Sequence, residues 1–184
     1  MTEQHAADQL IKNGFREIGK GLVNTAGVEN RSNLCARIFF KETRKEVAKI
    51  AFDPAYAVFV DWARSNSGMR VPMFVSHQEF GQRGDAGYLT VTVMERLYEL
   101  TEDERGGYDA WYARVLASAQ AGRVHDPCDD PFGLLSTFAM LASIARAAAT
   151  IKSNMTNGFD MKADNRMARQ INGSRLLVYG DPFN

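Results

Sequence analysis

Apolar and polar residues alternate with a period of two through most of the first half of the chain, and with a helical period through most of the second. Residues 34–40 and 45–52 are β-like runs around the charged stretch 41–44, which predicts a hairpin. A shorter run at 15–18 precedes them, and runs at 71–75 and 88–94 follow, joined by the turn-rich segment 81–87. Asp53-Pro54 pairs an N-cap with a first-turn proline. The helix it starts reaches about residue 65, with Tyr56, Phe59, Val60 and Ala63 as its apolar stripe.

Beyond residue 98 the pattern is helical. Thr101 and Glu104 have capping-box spacing for a helix reaching residue 121, although Gly106-Gly107 weakens its start. Residues 123–131 read as a loop. Residues 131–152 read as a long helix, apolar on most faces and therefore central and buried, stopped at Asn157-Gly158. Short strands at 167–169 and 175–179 flank Asn172-Gly173, a strong turn signal. The expected fold class is α+β. An N-terminal extension (1–14) precedes a strand-rich lobe with one helix (15–97), then a smaller helical lobe carrying a loop and a hairpin (98–184).

Composition narrows the classes. The 184 residues suit one domain, or two small lobes sharing a cleft. Net charge is zero, which gives no reason to expect direct nucleic-acid binding. The most apolar stretch, 134–149, is too short and too interrupted to span a bilayer, so no membrane association is expected. Residues 1–14 have no signal-peptide core, and Cys35 and Cys128 lack metal spacing. Both observations predict a cytoplasmic protein with reduced thiols.

The chemistry concentrates near the C-terminus. Gly158-Phe159-Asp160-Met161-Lys162-Ala163-Asp164-Asn165 is followed, after the hairpin, by Asp181-Pro182-Phe183. Phosphoryl transfer needs an acid to receive a hydroxyl proton, a cation near the transferred group and oxygen ligands for magnesium. Asp160, Lys162, Asn165 and Asp181 can fill those roles in that order. The same letters also suit a solvated turn. Two upstream features bear on the choice. Gly19-Lys20-Gly21 is either a plain turn or a loop whose amides approach phosphate. Lys49 shares a strand face with Val47 and Ala51 and points either to solvent or to nucleotide phosphates. His125-Asp126-Pro127-Cys128 reads as a loop, His77 as structural, and Trp62 and Trp111 as packing residues.

Gly19-x-Gly21, Val47-Ala48-Lys49, the hinge-like Met94-Glu95-Arg96-Leu97, Asp160-x-Lys162-x-x-Asn165 and Asp181-Pro182 occur in protein-kinase order. With Ala55-Tyr56-Ala57-Val58-Phe59, Phe159-Asp160-Met161 and Asn165-Arg166-Met167, the chain resembles the early serine/threonine protein kinases of T7-like lytic bacteriophages over roughly residues 14–183. The resemblance implies a minimal two-lobed kinase-like fold with ATP and Mg2+ as cofactors. It further implies nucleotide contacts from Gly19, Lys20, Gly21, Lys49, Glu95 and Leu97, catalysis by Asp160 and Lys162, and metal ligation by Asn165 and Asp181. The implied substrate is a host protein whose modification redirects host transcription or defence.

Departures are specific. No Arg precedes Asp160. The helix after Lys49 has no Glu to pair it, and Tyr56 lies nearest that position. The sequence carries no activation segment after Asp181, so ATP binding is the firmer expectation. A catalytically inactive kinase-like protein that binds and inhibits a host protein is the competing reading. A small-molecule phosphotransferase would be expected to carry a larger helical lobe. The sequence leaves a homodimer open.

Overall fold

The computed structural model describes residues 1–20, 36–83, 85, 87–151 and 165–181. Among these, four helices and eight strands form a mixed α+β arrangement. A five-stranded antiparallel sheet, in the order β1-β2-β3-β5-β4, is built from β1 (Arg16–Lys20), β2 (Arg37–Lys41), β3 (Glu46–Ala51), β4 (Phe74–Phe80) and β5 (Leu89–Glu95). A three-stranded sheet joins β6 (Tyr98–Glu99), β7 (Arg166–Ile171) and β8 (Ser174–Tyr179).

Pleat alternation gives the larger sheet two different faces. On one face Phe39, Ala48, Ile50 and Leu89 pack against Ala6, Ala7 and Leu10 of α1 (Glu3–Lys12) and against Phe15. The N-terminal segment is therefore a sheet cover, not merely an extension. Its helix is capped by Thr2, whose hydroxyl accepts from the His5 amide at 3.2 Å. The other face carries Val47, Lys49 and Ala51.

The helix α2 (Pro54–Ser65) starts where Asp53 accepts from the Ala55 and Tyr56 amides, as its sequence predicts. Its buried stripe, Ala55, Tyr56, Phe59, Val60 and Ala63, belongs to the larger core. That core also holds Tyr108, Trp111 and Val115 of α3 (Glu102–Gln120), Leu141 of α4 (Leu135–Ile151), and Ala168, Leu177 and Tyr179 of the β7–β8 hairpin. It therefore draws on residues from both sides of position 97.

Several boundaries differ from the sequence reading for local reasons. Strand β4 begins at Phe74, not Val71. Pro72 has no N–H for a ladder, and Val71 is instead buried in the core. The helix α3 runs through Gly106-Gly107 because packing outweighs the glycine penalty: a Cβ on Gly107 would lie 3.3 Å from the Phe132 ring. The helix α4 begins at Leu135 rather than 131, after Asp130 accepts from the Leu134 and Leu135 amides at 2.8 and 2.9 Å.

The expectation that α4 is buried all round does not hold over its first ten residues. Leu141 faces the core while Ser136, Ala139, Met140, Ala142 and Ser143 are exposed. Small side chains make that outward face tolerable in water. The predicted stop at Asn157-Gly158 lies outside the described residues. Strand β6 has no period-two signal, being two residues long and defined by its pairing with β7. No helix among the described residues is long and apolar enough to cross a membrane.

The capping box at Thr101 has both of its bonds, the Glu104 amide donating to the Thr101 hydroxyl at 3.2 Å and the Thr101 amide to the Glu104 carboxylate at 2.9 Å. Thr101→Ala should cost about 1 kcal/mol. In a chain of this size that lowers the Tm by roughly 2–4 °C, measured by thermal denaturation.

Candidate functional site

The β7–β8 hairpin places the two expected metal ligands side by side. Asn172 and Gly173 adopt φ of 49° and 81°, the left-handed pair that a two-residue hairpin requires. That turn fixes the register from Ile171↔Ser174 to Arg166↔Tyr179. The ladder closes with the Gly180 amide donating to the Asn165 carbonyl at 2.8 Å. Asn165 and Asp181, sixteen positions apart in sequence, thus meet at the open end of one hairpin.

Lys49 reaches the same end from the other sheet. Its ammonium lies 2.6 Å from Asp181 Oδ2, and the two side chains are 15% and 25% exposed. The Lys49 side chain therefore points inward, to Asp181, rather than to solvent. The ammonium also lies over the Tyr56 ring, 3.8 Å from its centroid. Tyr56 is fully buried, and burial, reinforced by Asp181 and Asp53, raises its phenol well above the ordinary value. The ring beneath Lys49 is therefore a neutral one.

Along β3 from Lys49, the same strand face opens into a cleft of about 640 Å³. Ile18, Ile38, Val47 and Met94 line it from the larger sheet, Met167 lines it from the smaller one, and residues 95–99 form its edge. Arg16, Glu42, Glu95, Arg96 and Glu99 add charge to its lining. A cleft between two sheets with apolar walls and a charged margin, and with the Lys49–Asp181 pair farther along β3, could take a flat ring linked to an anionic group. Sequence reasoning named Glu95 and Leu97 here but missed the apolar walls. Their signal was present in the alternation that places Val47 with Lys49, and in the position of Met167 two residues after Asn165.

The remaining expected residues divide into three groups. Glu95 and Leu97 line the cleft. The Glu95 carboxylate accepts from Arg169 Nε at 2.8 and 2.9 Å and from the Met73 amide at 2.8 Å, so it ties the inter-sheet connection together. Gly19 and Lys20 lie in strand β1, paired with Ile38 and Arg37, where the sequence suggested a turn. Among the described residues, no atom lies within 4 Å of where a Cβ on Gly19 would sit. Gly21, Asp160 and Lys162 lie outside the described residues, as do Pro182 and Phe183.

Two other constellations are structural. Trp111 is fully buried and donates its indole N–H to the Asp129 carbonyl at 2.8 Å, as expected of a packing residue. Asp61, His77 and Glu79 bring possible metal-ligand atoms within 4.8 Å of one another. Arg83 already bridges the Asp61 and Glu79 carboxylates, and His77 Nδ1 bonds the Thr92 hydroxyl at 2.8 Å. With a guanidinium in place between the acids, this cluster reads as an ion-pair network.

No protein-family model matches the chain, and no curated protein matches it.

Hydrogen bonding to Arg83, helped by Tyr88, lowers the Glu79 carboxyl from 4.5 to about 2. A carboxylate depressed on folding stabilises the fold above its unfolded value and loses that contribution as pH falls through its folded value. The stability difference between the wild-type protein and Glu79→Gln should be constant above pH 4.5 and shrink towards pH 2, measured by denaturant titration at each pH.

Proposed function

We propose that this chain is a phage-type serine/threonine protein kinase that transfers the γ-phosphoryl group of ATP to a host protein, altering host transcription or defence. The strand-rich lobe (15–97) and the reduced helical lobe (98–184) would hold the nucleotide between them. The observation that carries this reading is the meeting of Lys49 with Asp181, 132 residues away, at the hairpin end that also holds Asn165.

The roles follow from charge and position. The cleft would take the adenine ring between Val47 and Met167. Lys49, an ammonium already facing a carboxylate, would turn its charge to the α- and β-phosphates. The residues present fit magnesium: Asp181 and Asn165 are hard oxygen donors, and Asp181 already accepts a cation in the form of the Lys49 ammonium. Bound there, magnesium would offset phosphate charge and align the γ-phosphoryl group.

The remaining roles rest on sequence. Asp160 would orient the substrate hydroxyl and accept its proton. The hydroxyl oxygen forms the new P–O bond, the bond to the bridging oxygen breaks, and ADP leaves. Lys162 would offset charge on the transferred group.

The test is transfer from γ-labelled ATP to proteins of a bacterial host lysate. Wild-type protein should label a protein on Ser or Thr only with magnesium present. Asp160→Asn should lower transfer by about 10²–10⁴-fold while nucleotide binding survives. A wild-type protein that binds magnesium-ATP yet transfers nothing to any lysate protein would overturn the kinase reading in favour of a kinase-like binding protein.

A further inference from the structure

Among the described residues, Lys49 faces two partners of different kinds. Asp181 offers a charge at 2.6 Å, and Tyr56 offers the face of a ring at 3.8 Å. Only the first is used again in the proposed chemistry. Once Asp181 turns to magnesium, the ammonium loses this carboxylate, while the Lys49 side chain as a whole is only 15% exposed. A lysine left in that position would otherwise swing towards water, because its four-carbon stem is flexible and its head strongly hydrated.

We infer that Tyr56 is the positioning residue for Lys49: its ring is the seat on which the ammonium stays when Asp181 leaves it for metal and nucleotide. This rests on the nucleotide reading above.

The seat is rigid. The Tyr56 side chain has no exposure, its amide is held by the Asp53 cap at 3.4 Å, and its ring packs against Phe59 with centroids 6.1 Å apart. Its hydroxyl reaches Met94 Sδ at 3.8 Å, on the strand that also lines the cleft. A ring quadrupole attracts the ammonium without cancelling its charge. A carboxylate at the same fully buried point would carry a large desolvation penalty and would compete with phosphate for the lysine. A neutral ring leaves the full positive charge to the ligand. It also explains how α2 supports Lys49 while its only internal acid, Asp61, is engaged by Arg83.

The experiment has two arms. The first needs no nucleotide. Protons on the Lys49 Cε, held over an aromatic face, should resonate upfield of other lysines in the wild-type spectrum. Tyr56→Phe should keep that shift and Tyr56→Leu should abolish it. Absence of the shift in the wild-type protein overturns the seat, whatever the protein binds.

The second arm measures magnesium-ATP affinity in the full chain. Tyr56→Leu should weaken it about tenfold, the scale of a partly desolvated cation–π contact. Tyr56→Phe should restore it. Phe59→Leu, which removes similar packing from the same helix face without touching Lys49, should lower the Tm and leave the affinity unchanged. Equal losses in Tyr56→Leu and Phe59→Leu would make Tyr56 an ordinary core residue and overturn the inference. If the upfield shift is present but no form binds magnesium-ATP, the seat stands and the nucleotide reading fails.

Discussion

The ion pair between Lys49 and Asp181 joins two residues that the chain keeps 132 positions apart. It forms only if a lysine on the inward face of β3 and an aspartate just past β8 are delivered to one point. Three things must hold together for that. Strand β3 must keep its register between β2 and β5, since a slip of one residue would turn Lys49 to the face that α1 covers. The Asn172-Gly173 turn must set the β7–β8 register. The connection after β5 must hold the two sheets against each other, which the Glu95–Arg169 pair helps to do. A partly buried ion pair is a poor source of net stability, because desolvation offsets most of its attraction. Under the proposed function, its place is explained by what those charges would bind.

The aromatic core carries that geometry. Tyr56 is at once a member of the larger core and the ring under Lys49. Tyr108 shares a hydroxyl contact of 3.2 Å with Tyr179, near the C-terminal end of β8 and two residues before Asp181. Arg166, next to Asn165, lies over the Tyr108 ring at 4.5 Å and pairs with Asp109. The residues on either side of the open hairpin end are thus anchored in α3. Loss of packing in α3 should therefore be felt at the hairpin end as well as in the core.

How much of this was legible depended on whether the signal was local. Asp53-Pro54, the Thr101–Glu104 box and Asn172-Gly173 each act within four residues, and each lies where the sequence placed it. The 41–44 hairpin and the period-two strands were legible for the same reason. Strand β6 and the role of α1 were not, because both are defined by distant partners: Met167 and Ala168 for β6, and Phe39, Ala48 and Ile50 for α1. Lys49, Asn165 and Asp181 were picked out by letter and spacing; Lys49 contacts Asp181, and Asn165 lies at the same hairpin end. The cleft walls were harder to see. Ile18, Ile38, Val47 and Met167 are ordinary strand residues, and only tertiary packing makes them one surface. Asp160, Lys162 and Gly21 lie outside the described residues.

The central claim is that Lys49 and Asp181 are held together where a magnesium nucleotide binds. The most direct measurement is calorimetric titration of ATP into the wild-type protein and Asp181→Asn, each with and without magnesium. The account predicts that magnesium strengthens ATP binding to the wild-type protein, and that Asp181→Asn loses most of that enhancement. ATP affinity that is independent of magnesium in the wild-type protein, or no binding at millimolar ATP, would contradict it.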